Sequence, residues 1–195
     1  MNLLDDSLSA DLASSGTGLD ARMHARFATL TDYAVATGAH GVLFTCSAFG
    51  PCIAAAAARH PGVPVLKPNE AMIADAVIAV SAPGASANAR IGLIASFAPT
   101  LVSMRPEFPS AIKLDCELVE PAMQALNEGR ADVHDAAVVA AAKQLQARGA
   151  AVIALAQFSM ARAADAVAQA TGLPVLTTPS SAIRLLHRRL VGEQK

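Results

Sequence analysis

Short, unbroken runs of apolar residues alternate along this chain with longer alanine-rich segments. Five runs read as strands: Gly41–Thr45, Val63–Leu66, Arg90–Ala95, Ala151–Leu155 and Leu173–Leu176. Each is four to six residues long, partly β-branched and bounded by Gly or Pro. Continuous rather than alternating apolar character predicts burial on both faces, as in a parallel sheet covered by helices. Helix-compatible segments fall at about residues 20–37, 51–60, 68–79, 120–128, 131–148, 160–171 and 179–190. Segment 131–148 carries Asp132 and Asp135 near its start and Lys143 and Arg148 near its end, charges that complement a helix dipole. Strand–helix alternation of this kind predicts an α/β fold with crossover helices.

The pattern also repeats. Gly62–Leu66 (Gly-Val-Pro-Val-Leu) recurs at Gly172–Leu176 (Gly-Leu-Pro-Val-Leu), and each copy follows a buried strand and an alanine-rich helix. Two similar lobes are therefore expected, residues 1–84 plus 180–195 forming an N-terminal lobe and 85–179 a C-terminal lobe. Their boundary is placed near the turn-rich stretch Ser81–Ser86. Ligands of open α/β sheets sit beyond the carboxyl ends of the strands, so a site between the lobes would be fed by both sets of loops.

Composition narrows the function classes. With 195 residues, 53% of them hydrophobic and 16% charged, the chain can bury a sizeable core. A formal net charge of −1 without blocks of like charge argues against nucleic acid or an anionic membrane as partner. No apolar stretch is long enough to span a bilayer, and the N-terminus lacks a signal-peptide pattern. Three cysteines without CxxC spacing fit a cytoplasmic protein with free thiols better than a disulfide scaffold or a zinc site.

The first strand delivers Thr45, Cys46, Ser47 and Ala48 to its carboxyl end, and Pro51 opens the next helix. A thiol beside a helix N-terminus is expected to have its thiolate stabilised, making Cys46 a candidate base or nucleophile; the other reading is a small buried hydrophobe. Cys52 and Cys116 fall in helix-like or connecting segments and read as structural. Ser96 and Thr100 follow the third strand and could bind a carboxylate or cap a helix. Gln157 and Phe158 follow the fourth strand, in the loop that answers Cys46, and an amide cannot serve as a proton-transfer base. Thr178, Ser180 and Ser181 follow the last strand, either serine a candidate cap. Lys67 and Glu70 could line a cleft or lie on the surface. The five histidines lack metal-ligand spacing, and His134–Asp135 reads as a solvated helix face.

Taken together, Gly41–Ser47, Ile91–Thr100, Ala151–Gln157 and Gly172–Thr178 resemble the aspartate/glutamate racemase superfamily, which includes glutamate, aspartate and hydantoin racemases, maleate isomerase and arylmalonate decarboxylase. The likeness runs from about residue 30 onward and rests on the order of the motifs, the repeat and the place of Cys46. It implies two flavodoxin-like lobes with pseudo-twofold symmetry, a small carboxylate substrate in the cleft, and no metal, pyridoxal phosphate or nucleotide. In such racemases one cysteine from each lobe flanks the carbon acid. By the resemblance, Cys46 is the first-lobe cysteine and Ser47, Ala48, Ser96, Thr100, Gln157, Phe158 and Thr178 surround the substrate. Aligned on the strand cores, the second cysteine position falls at Gln157; aligned on the two Gly-x-Pro-Val-Leu copies, it falls at Ala156.

Two departures shape the expectation. No second cysteine stands in the second lobe, so the two-base mechanism gives way to an isomerase or a carbon–carbon lyase, such as a decarboxylase. The family's first strand has no counterpart ahead of the segment resembling Asn2–Leu8, so the N-terminal lobe is expected to lack it. The competing reading is a catalytically inactive member that binds a small carboxylate or a protein partner; self-association into a homo-oligomer is left open.

Overall fold

The computed structural model describes residues 1–192, so the last three positions of the expected 180–195 segment lie outside the described residues. In chain order the elements are α1 (Leu8–Ser15), α2 (Ala21–Ala36), β1 (Val42–Leu43), α3 (Gly50–Arg59), β2 (Val65–Leu66) and α4 (Glu70–Ser81). They continue with β3 (Arg90–Ala95), α5 (Ala98–Met104), β4 (Lys113–Leu118), α6 (Glu120–Asn127), α7 (Ala131–Ala147), β5 (Ala150–Leu155), α8 (Ala164–Thr171), β6 (Val175–Thr177) and α9 (Thr178–Val191). All five expected strands form, β1 and β2 as two-residue cores.

Every strand pair is parallel. β1 and β2 make a two-stranded sheet, and β4-β3-β5-β6 a four-stranded one, in the flavodoxin-like doubly wound order. The unbroken apolar runs have the predicted cause. Met72, Ile73, Ala76 and Val80 of α4 cover one face of the larger sheet, against Ile91, Leu93, Val152 and Ala154. Val138, Ala142 and Leu145 of α7 cover the other, against Ile94, Ile153 and Leu155. α7 comes so close to β3 that a Cβ at Gly92 would meet Leu145 Cβ at 3.1 Å. Gly172 ends α8 at φ 66°, a left-handed position that glycine adopts without a Cβ clash.

The smaller lobe packs Met23, Phe27, Phe49, Cys52, Ile53 and Val65 together, with the Phe27 ring 5.0 Å from Phe44 and 5.1 Å from Phe49. α4 leaves this lobe and packs on the larger sheet, and α9 packs beside it, with Asp75 accepting from Ser181 at 2.6 Å and from Arg184 at 2.9 Å. Leu186 of α9 also lies against Gly41 of the first lobe.

β4 is an element the apolar-run criterion does not find. Its sequence alternates Lys113, Leu114, Asp115, Cys116, Glu117, Leu118, the period of an edge strand with one face covered. Leu114 and Cys116 pack on the core, while Lys113, Asp115 and Glu117 pair with Asn88, Arg90 and Arg148. Cys116 therefore lies in a strand, not in a helix or a connection.

Candidate active site

β1 hands the chain to Thr45 and Cys46, a 3-10 turn over Ser47–Phe49 follows, and α3 then opens with Pro51 in its first turn. Cys46 is half-buried and lines a cavity of about 660 Å³ together with Asp5, Asp6, Ser9, Phe44 and Thr45. Burial pushes its thiol above the ordinary range, and contacts with the Ala48 amide and the Ser9 hydroxyl offset this only in part. This corrects the expectation of a stabilised thiolate. α3 begins beyond the intervening turn, and the helix-dipole effect falls off within the first turn. Cys52, in the core of the first lobe, is pushed up to about 11, chiefly by burial, and Cys116 is raised for the same reason.

The strand pairings resolve the counterpart of Cys46. Val42 pairs with Val65, and Ile153 with Val175, while Val65 and Val175 are the same position of the repeated motif. Matching hydrogen bonds run from the Val42 N–H to the Pro64 carbonyl at 2.8 Å and from the Ile153 N–H to the Pro174 carbonyl at 2.9 Å. Four residues beyond Val42 lies Cys46; four beyond Ile153 lies Gln157. Ala156, the alternative, is the counterpart of Thr45. The two motif copies mislead by one because the β1-to-β2 connection is one residue longer than that from β5 to β6.

None of the candidate binding residues lines the Cys46 cavity, and their polar groups do not converge on one point. Gln157 Oε1 accepts from the Ser96 amide at 2.6 Å and from the Ser96 hydroxyl at 3.0 Å. The Ser47 hydroxyl donates to the Ala156 carbonyl at 2.9 Å, tying the first lobe to the second. Thr100 and Thr178 are fully buried, and among the described residues neither hydroxyl has a partner. Ala48 is buried in the 3-10 turn, and Phe158 is half-buried at the start of another, Phe158–Ala163. Neither Ser96 nor Thr100 caps α5, whose N-cap position is Phe97. The cap of α9 is Thr177, whose hydroxyl accepts from the Ser180 amide, so neither Ser180 nor Ser181 fills that place.

Asn69, at the N-cap position of α4 in the loop after β2, is fully buried with neither side-chain polar atom partnered among the described residues. The strand-end rule that singled out Cys46 leads to it as well. Lys67 bonds Glu107 at 2.6 Å, and burial raises the carboxyl of Glu70. His134, expected on a solvated face, is fully buried and bonds Asp135 at 2.7 Å, which in turn accepts from Arg162 at 2.9 Å. Among the described residues no three His, Cys, Asp or Glu side chains are grouped to hold a metal ion, and no helix is long and apolar enough to cross a membrane.

The architecture matches solved structures. A protein assigned as an Asp/Glu racemase from Yersinia pestis superposes with a TM-score of 0.67 at 14% identity, over 97% of this chain and 82% of that one. Glutamate racemase from Thermus thermophilus, in complex with β-chloro-D-alanine, gives 0.65 at 18% identity, over 94% of this chain and 68% of that one. The chain has the Asp/Glu racemase fold. A liganded double variant of arylmalonate decarboxylase, with one glycine changed to cysteine and one cysteine to serine, shares this fold at 0.58 and 16% identity, over 91% and 79% of the two chains. No protein-family model and no curated protein sequence matches the chain. The doubly wound parallel sheet of the second lobe is part of this shared architecture.

Proposed function

We propose that this chain is a cofactor-independent enzyme that moves a proton on one face of the carbon acid of a small carboxylate, through the single thiol of Cys46. The observation that carries the proposal is the pairing of strand ends. Cys46 lines a cavity at one strand end, and the equivalent strand end offers Gln157, whose amide exchanges no proton usefully near neutral pH. Racemisation needs acid–base groups on both faces of the carbon, so an isomerase or a decarboxylase fits better than a two-base racemase. The raised pKa of Cys46 favours the protonated thiol, the form that delivers a proton to a carbanion once carbon dioxide has left. Thr100, Thr178 and Asn69, buried with free hydrogen-bonding atoms, are the groups proposed to receive the substrate's oxygens, with Ser47, Ala48, Ser96, Gln157 and Phe158 retained as candidates, although none of these residues lines the Cys46 cavity.

The test is turnover in heavy water with a panel of small carboxylates that includes arylmalonates. Carbon dioxide release is measured together with the configuration of the deuterated product. One enantiomer, lost in Cys46→Ala, is the expected result. A racemic product, or activity that survives Cys46→Ala, refutes the assignment; no turnover of any kind favours the inactive binding protein.

A further inference from the structure

A second cavity, of about 830 Å³, opens where the two lobes meet. The first lobe supplies Leu12, Leu19 and Pro51 to its walls, and the second supplies Ala98, Pro99 and Val102 of α5. Val102 is 75% exposed, an apolar side chain left largely uncovered by the protein. Apolar walls, a few gathered polar groups and a volume within about 300–1,000 Å³ are the properties of a small-molecule site. The cavity shares no lining residue with that of Cys46.

The polar groups meet against the start of α3. A Cβ at Gly50 would lie 3.0 Å from Glu107 Oε1, 3.2 Å from Ser103 Oγ and 3.8 Å from Lys67 Cδ. Lys67 donates to Glu107 Oε2 at 2.6 Å, an ion pair between the lobes. Among the described residues that bond leaves Glu107 Oε1 and the remaining N–H groups of Lys67 without partners, and the Ser103 hydroxyl is buried with none. The charges there cancel. Glu70, which feels both Lys67 and Glu107, is itself paired with Arg189 at 3.2 Å.

We infer that this cavity binds a small uncharged molecule with an apolar body and a primary amide head. The amide N–H donates to Glu107 Oε1, and the amide carbonyl accepts from Lys67 or Ser103. An amide carries a donor and an acceptor together, so it meets both partners without parting the ion pair. A carboxylate head would face Glu107 and an ammonium head Lys67, and either would bring an unbalanced charge between apolar walls. Each lobe contributes walls and one member of the ion pair, so the occupant also joins the lobes. The inference is independent of the chemistry proposed for Cys46.

The test titrates the full chain with three probes of one shape, hexanamide, hexanoate and hexylammonium, each to its solubility limit. Binding to the folded state raises Tm saturably. The amide should bind about tenfold or more tightly than either charged analogue. Removing one charge should redirect the preference: Glu107→Gln leaves Lys67 unpaired and selects hexanoate, whereas Lys67→Met selects hexylammonium. Val102→Glu, at an exposed position where a substitution disturbs the fold little, sets a carboxylate on the wall and should abolish the amide's effect. No saturable shift with hexanamide, equal shifts with all three probes, or hexanamide binding that survives Val102→Glu overturns the inference. So does a preference that Glu107→Gln and Lys67→Met leave as it was.

Discussion

Gln157 gives its side-chain carbonyl to Ser96, 2.6 Å from the amide and 3.0 Å from the hydroxyl. The residue in register with Cys46 thus secures the end of β3, and the two strand-end loops do different work despite their common origin in the repeat. One presents a thiol to a cavity; the other closes a hydrogen-bond pair between neighbouring strands of the larger sheet.

Gln157→Cys separates the two roles. The variant loses the acceptor of the Ser96 amide and hydroxyl, and urea unfolding should report a loss of about 1–3 kcal/mol. It also sets a second thiol at the position in register with Cys46. Chiral chromatography should then detect racemisation of any substrate the parent protein deprotonates, abolished by Cys46→Ser in the same chain. Unchanged stability would mean that the Ser96 contact is not made in solution.

Cys46 should label slowly at neutral pH. With burial holding its pKa above the ordinary thiol range, only a small minority of the group is thiolate at pH 7. The rate of iodoacetamide modification, followed by mass spectrometry of the Cys46 peptide, should climb about tenfold per pH unit through pH 9. A plateau below pH 8 would contradict the buried, protonated thiol.

Ser47→Ala removes the hydroxyl that donates to Ala156 across the lobes and leaves that buried carbonyl without this donor. A destabilisation of about 1–3 kcal/mol is expected in denaturant titration. Ser47→Thr, which keeps the hydroxyl, should recover part of it if the new methyl is accommodated.

Gly92→Ala should destabilise by about 1–3 kcal/mol, since the added Cβ would sit 3.0 Å from Ile153 Cδ1 and 3.1 Å from Leu145 Cβ. The Leu145 contact lies at the root of the side chain, so a change of rotamer cannot relieve it. Leu145→Ala keeps that Cβ but removes the further contact with Leu145 Cδ1 at 3.1 Å, so the double variant should cost somewhat less than the sum of the two single losses, which thermal unfolding of the four proteins would measure.

The alternation of apolar runs and alanine-rich segments was enough to determine the α/β class and the places of five strands, though β1 is only half-buried. Each of these follows from whether a residue can be covered on both faces, a property of the residue and its near neighbours in the chain. The place of Cys46 at a strand end was legible for the same reason. β4 was legible too, but in a different code: Lys113, Asp115 and Glu117 alternate with apolar residues because an edge strand is covered on one face only.

What depended on contacts between distant segments was settled by the tertiary structure alone. Gln157 rather than Ala156 matches Cys46 because the Val42–Val65 and Ile153–Val175 pairings absorb a one-residue difference in connection length that the motif spacing hides. His134 is buried because its helix face meets other elements, and a histidine reads as polar whichever way it points. Burial pushes the Cys46 thiol up because the surrounding chain removes water from the sulfur, an effect that the Ala48 amide and the Ser9 hydroxyl offset only in part. Local sequence carries the tendency to form an element; burial, register and proton affinity are set by whatever packs against it.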